Sequence, residues 1–212
     1  MVGGIALSIT TPLYLFFIAY VLNEESMAIY MLTFFYLTNF ASVPFWVWLS
    51  KKIGKHKAYI CSFATIALAH PFYLFLREGD FWWMLPITIV TGFSAGGFFA
   101  LPNSMKADVI DLDKLKSGEN RSGLFFSSWS FTQKMTASLG SWLALTILAW
   151  IGFNTGQDAY NSPSQLLGLR FLFSTLPSIF YLLAIAILWK YPITEEMHSR
   201  IQVQLKEQEL NN

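Results

Sequence analysis

Six stretches of this chain run for about twenty residues or more with almost no charge, and no other feature limits its fold so strongly. They cover residues 3–22, 27–50, 58–76, 81–105, 122–153 and 165–189. A hydrocarbon layer about 30 Å thick takes about 20 apolar residues of helix to cross, so each run is long enough to span a bilayer. Pro44 interrupts the second run and a His70-Pro71 pair the third; the fifth holds one charge, Lys134, and Arg170 lies near the entrance of the sixth. Composition agrees, with 54% hydrophobic and 13% charged residues where soluble domains carry about 25% charge. The expected fold is an all-α membrane protein of six transmembrane helices over residues 1–189, with a tail at 190–212.

The basic residues orient it. Four lysines lie in "KKIGKHK" after the second run, four Lys or Arg in "KADVIDLDKLKSGENR" (residues 106–121) after the fourth, and three in the tail. The opposite connections carry one or two: "NEES" none, "REGD" Arg77, and the stretch after Phe153 none before Arg170. Cytoplasmic loops retain positive charge, so both termini are expected on the cytoplasmic side of the cell (inner) membrane. The first run lacks a positive leader and is as long as a full span, which reads as a retained helix and not a cleaved signal.

Other classes fall away. Net charge is +1 and no basic aromatic patch suggests nucleic acid. The lone Cys61 excludes an internal disulfide framework, and His56 and His198 show no metal-ligand spacing. "GFSAG" matches a nucleophile-elbow pattern at Ser94, with His70 as a conceivable base. That elbow needs a strand-to-helix turn, however, and Ser94 sits inside an apolar run, so no enzyme is expected.

Polar residues within spans need partners, and the fifth run holds most of them. Ser127, Ser130, Lys134, Ser138 and Ser141 follow steps of three, four, four and three, one face of a helix, with Trp129 and Gln133 in an adjacent row. A lysine at mid-helix costs about 2.5–3.5 kcal/mol on insertion scales and ordinarily faces a bundle interior or a wet cavity. None of the thirteen acids lies at the middle of a span, so the counter-charge of Lys134 must come from water, substrate or another polypeptide. The alternative is snorkelling to an interface, which its depth of about twelve residues makes strained.

Asp108 and Asp111 stand one turn apart at the end of the fourth run. They suit a gate closed by ion pairs at the cytoplasmic mouth, or simply a wet loop; spacing alone supports both readings equally. Gly92, Gly96 and Gly97 in "TGFSAGGFFALP" allow close helix approach. In the tail, Thr194 as a cap, Glu195 and Glu196 in a first turn, and Met197, Ile201 and Leu205 at four-residue steps suggest a short amphipathic helix.

"ADVIDLDKLKSGENRSG", then "FSSWSFTQKMTASLGSW", then "YPITEE" together resemble the glycoside-pentoside-hexuronide:cation symporter family of the major facilitator superfamily. The melibiose permeases are members and the vertebrate lysolipid symporters are relatives; "KKIGKHK" resembles the basic loop of each major facilitator half. The resemblance covers essentially the whole chain and implies the C-terminal six helices, one half of a major facilitator bundle. It implies that Lys134 lies near the sugar and cation sites with acid partners from the N-terminal half. It also implies that Trp129, Ser130, Gln133 and Phe99 face sugar, and that Asp108 and Asp111 belong to the inner gate. Melibiose permeases carry tryptophan at the Phe99 position and glutamine at the Trp129 position, a departure that points away from melibiose itself.

The function expected is cation-coupled symport of a sugar or glycoside. The alternatives are symport of a lysolipid or other amphiphile, and a six-helix regulatory protein that does not transport. No cofactor is expected beyond a coupling cation, sodium or proton, with its ligands mainly in the N-terminal half. The partners expected are the bilayer, that missing half or a second copy, and a small-molecule sugar or glycoside. Since the first residue stands just before a helix with no linker, a fragment, a truncated product or a subunit that cannot transport unaided is expected.

Overall fold

The computed structural model describes residues 1–156 and 159–190, together with Met197, Arg200, Ile201, Val203 and Gln204. Thr194, Glu195, Glu196 and Leu205, on which the amphipathic tail helix depends, lie outside the described residues.

Six long helices carry the described chain. Helix α1 (Val2–Phe16) continues as a π turn, Phe17–Leu22, and stops where Asn23 turns left-handed at φ 57°. A 3-10 turn leads into α2 (Ala28–Ile53), and α3 (Lys55–Ala69) continues as a 3-10 stretch, His70–Phe75. Then follow α4 (Phe81–Ser117), α5 (Ser122–Trp150) and α6 (Pro163–Leu188). A capping box starts α6: the Ser162 hydroxyl accepts from the Gln165 backbone N–H, the Gln165 side chain accepts from the Ser162 N–H, and Pro163 presets the first turn.

Two connections expected as loops are largely helix. The second shrinks to Gly54, so Lys51 and Lys52 close α2 and Lys55 opens α3. The fourth shrinks to residues 118–121, because α4 continues past Met105 to Ser117. Ala107, two leucines and three lysines in that extension favour helix, and charge ends a membrane span without ending the helix. Gly118 stops it, in the left-handed conformation at φ 71° with its N–H on the Lys114 carbonyl.

Five of the six helices are both long and apolar enough to cross a membrane. Helix α5 has the length, about 44 Å at 1.5 Å per residue, and lacks the apolarity because of its serines and Lys134. It is nonetheless packed lengthwise on α1 like its neighbours.

Spatial order differs from chain order. Helix α2 packs on α4, α4 on α3, α3 on α6, α6 on α1 and α1 on α5, while α4 and α5 touch only briefly. Exchanging α1, α2 and α3 with α4, α5 and α6 maps these pairings onto themselves. Helices three apart cross in opposite senses, so this is the signature of two inverted three-helix repeats.

Glycine makes the close approaches. A Cβ on Gly92 would come 2.6 Å from the Phe35 carbonyl oxygen, and on Gly97 2.8 Å from the Trp46 ring; one on Gly140 would collide with Ser8 of α1. The core is aromatic where α1, α3 and α6 meet: Phe17 stacks on Phe173 at 4.4 Å and Tyr73 stands edge-on to both. The Tyr73 hydroxyl is shared with Thr88 and Thr91 of α4, which keeps a buried polar group satisfied.

Candidate functional site: the polar face of α5 and the charged end

Helix α5 divides into two faces. Thr136, Gly140, Ala144 and Leu148, at four-residue steps, are buried against α1. Ser127, Ser130, Lys134 and Ser138 are exposed on another face, Ser141 is half-buried at its edge, and Gln133 is exposed one turn before Thr136, in line with the buried stripe. Three of the four buried side chains are small, which lets α1 and α5 approach closely. Among the described residues Lys134 has no ion-pair partner, and no acid of the chain lies on α5.

The sequence-derived site is partly assembled. Trp129, Ser130, Gln133 and Lys134 share two turns of α5. Phe99 is exposed on α4, 47% accessible, with its ring edge-on to Phe98 at 5.1 Å and Asn103 donating to its carbonyl. The α4–α5 seam is joined elsewhere: the Lys106 ammonium lies 4.2 Å from the centre of the Phe126 ring and 5.3 Å from that of Trp129. One face of Trp129 thus meets a cation. Sequence reasoning counted Lys106 only as an orienting charge; had α4 been extended beyond Met105, its place one turn after Asn103 would have put it on this seam.

Two ion pairs at the charged end tie its described residues together. Asp108 is buried, and Lys55, the first residue of α3, reaches it with Nζ at 2.6 and 2.8 Å from the two carboxylate oxygens. The cationic partner on a neighbouring helix end is present, within this bundle. Asp108 is not at a helix terminus, since α4 continues to Ser117, so it escapes the unfavourable macrodipole placement expected of it. Asp111 is half-buried one turn further on. Arg121 holds Asp113 in a fork, Nη2 to Oδ1 2.6 Å and Nε to Oδ2 3.0 Å, and so fixes the turn between α4 and α5.

Ser94 and His70 do not meet. The Ser94 hydroxyl donates to the Val90 carbonyl of its own helix, and His70 is buried among Tyr73, Phe173 and Tyr181. No strand-to-helix elbow holds the serine, which lies within α4. Among the described residues no group of three His, Cys, Asp or Glu could hold a metal ion. An open cleft of about 830 Å³ lies at the opposite end of the bundle between α1 and the α5–α6 connection, lined by Phe16, Tyr20 and Thr155 among others.

A family model described as MFS/sugar transport protein matches residues 2–195. The chain is 26% identical to the glucuronide carrier protein homolog of Escherichia coli (strain K12) over 196 residues, 90% of this chain and 42% of that protein. It is 30% identical to the sodium-dependent lysophosphatidylcholine symporter 1 of Gallus gallus over 160 residues, 73% of this chain and 29% of that one. It is 29% identical to the sphingosine-1-phosphate transporter MFSD2B of Xenopus tropicalis over 167 residues, 77% and 32% of the two chains. The chain thus spans less than half the length of these curated relatives.

Proposed function

The chain belongs to the MFS/sugar transport protein family, and we propose that it is the C-terminal half of a secondary active transporter that symports a sugar or glycoside with a cation by alternating access. One observation carries this reading. A membrane-length helix exposes Ser127, Ser130, Lys134 and Ser138 together on one side, while its buried side packs on α1. Facing lipid, the lysine alone would cost about 2.5–3.5 kcal/mol at mid-span, so that face belongs on an aqueous path between two six-helix halves.

In this reading Ser130 and Gln133 offer hydrogen bonds to hydroxyl groups, and Trp129 and Phe99 offer flat apolar faces. Lys134 couples substrate to the cation, sodium or proton, whose acidic ligands come mainly from the other half. Asp108 and Asp111 form part of the inner gate: Lys55–Asp108 stiffens the junction of α3 and α4, so that the charged end moves as one body when the halves rock. Both termini then face the cytoplasm across the cell (inner) membrane, on the side where eleven Lys and Arg residues gather.

A second reading has a specific support. Phe126 and Phe131 are exposed on α5 beside the hydroxyls, and two of the relatives are named for lysophosphatidylcholine and sphingosine-1-phosphate. An amphiphile would lay its chain on those rings and its polar head toward Lys134.

The test is uptake of labelled glycosides and lysolipids into membrane vesicles, with and without a sodium gradient, for the chain alone and joined to a matching N-terminal half. Gradient-driven glycoside uptake only in the joined form, lost in Lys134→Ala, is the expected result. Uptake by the chain alone contradicts the half-transporter reading, and none in either form favours a regulatory six-helix protein.

A further inference from the structure

Lys106 is the cation that the reading above leaves without a task. It stands half-buried on α4, and its ammonium crosses to α5, 4.2 Å from the centre of the Phe126 ring and 5.3 Å from that of Trp129. Asn103, one turn before it on α4, meets the ammonium with Oδ1 at 3.4 Å. Among the described residues Lys106 has no carboxylate partner; Asp108 is taken by Lys55 and Asp113 by Arg121.

Packing does little to set the spacing of the two helices that Lys106 joins. Helix α4 packs along α2 and α3, and α5 along α1, while α4 and α5 touch only briefly. At the charged end they are joined by the turn at 118–121, which the Arg121–Asp113 pair holds. Lys106 lies seven residues further into the bundle than Asp113, about 10.5 Å along α4. Two helices tied at one point can hinge there, and a second tie at this distance fixes the angle between them. The tie is well placed on α5 too. Phe126 and Trp129 are three residues apart, neighbours on the helix surface, and both ring centres lie within the roughly 6 Å over which a ring attracts a cation.

The side chains assigned above to the substrate are divided between these same helices, with Phe99 on α4 and Trp129, Ser130 and Lys134 on α5. We propose that Lys106 is a positioning residue. By clamping Phe126 and Trp129 it holds the Trp129 ring in one orientation and α4 at one distance from α5, and so sets the width of the surface between Phe99 and Trp129. This rests on the reading of the two helices as the substrate surface. Lys106 acts on the substrate through Trp129 and through helix spacing, and needs its charge to do so. Arginine, a cation that also stacks on rings, can replace it, and methionine, of similar length and uncharged, cannot.

The experiment uses the chain joined to a matching N-terminal half, with 4-nitrophenyl β-glucoside as the probe. Fluorine NMR of the fluorotryptophan-labelled protein reports on Trp129, whose resonance is the one missing in Trp129→Phe. Lys106→Met is expected to shift that resonance and to weaken equilibrium binding about three- to ten-fold. In vesicle uptake KM should rise by the same factor with kcat unchanged, and the melting temperature should hold; Lys106→Arg should restore both the resonance and KM. A Trp129 resonance or an affinity that Lys106→Met leaves unmoved overturns the proposal. So does a fall in melting temperature that Lys106→Arg does not restore, which makes Lys106 a packing element. Ser130→Ala and Lys134→Ala keep the two claims apart. If they weaken binding where Lys106→Met does not, the substrate surface stands without the clamp. If they leave binding unchanged, or the probe does not bind the unaltered protein, the substrate surface fails and the clamp with it.

Discussion

Lys55 and Asp108 form a two-pronged ion pair across the α3–α4 junction, with both Nζ–oxygen distances under 3 Å and the carboxylate buried. Removing either partner takes away charge-assisted hydrogen bonds to a buried carboxylate, which costs on the order of 1.5–3 kcal/mol. Asp108→Ala and Lys55→Ala should each lower the thermal unfolding temperature of the detergent-solubilised chain, and the double variant should lose less than the sum of the two. Additive losses would show that the two charges act independently.

The glycines of α4 should differ sharply from that at the start of α5. A Cβ on Gly96 would lie 2.7 Å from the Asn39 carbonyl oxygen and would collide with the Ser42 hydroxyl, whereas nothing lies within 4 Å of one on Gly123. Gly96→Ala is expected to destabilise by about 1–3 kcal/mol through overpacking of α2 on α4, and Gly123→Ala to be neutral or stabilising. Thermal melts of the two variants side by side decide it.

Lys134→Met should separate folding from function. The lysine has no ion-pair partner among the described residues, so its removal leaves no charge stranded and relieves an insertion cost of about 2.5–3.5 kcal/mol. Expression and melting temperature should hold or rise while uptake by the joined transporter is lost. A drop in stability would show that Lys134 is structural.

Ser94→Ala should change neither stability nor uptake by more than about two-fold, since the hydroxyl only bonds to its own helix at Val90. Loss of activity with retained folding would reopen a chemical role for this serine.

Much of this was legible beforehand. The six apolar runs mark the helices because a bilayer accepts little else, and the isolation of Lys134 followed from the absence of acids at mid-span. The end of α4 is less legible, because its charged residues read as loop, although Ala107, Leu112 and Leu115 favour helix and Gly118 stands as its stop signal. Two features were hidden for another reason. The Asp108 partner is 53 residues upstream, and the rings around Lys106 are on a different helix from it. Packing alone brings such pairs together, and spacing within one helix does not reveal it.

The central claim is that the α5 face carrying Ser130 and Ser138 lines water and not lipid. In a Cys61→Ser background, single cysteines at Ser130, Ser138 and the exposed α3 position Leu68 can be probed in native membranes with a membrane-impermeant, water-soluble thiol reagent. The account predicts fast labelling at Ser130→Cys and Ser138→Cys in the joined transporter, slowed by bound substrate, and no labelling at Leu68→Cys. Labelling of all three positions only by an apolar reagent that partitions into the bilayer would contradict it.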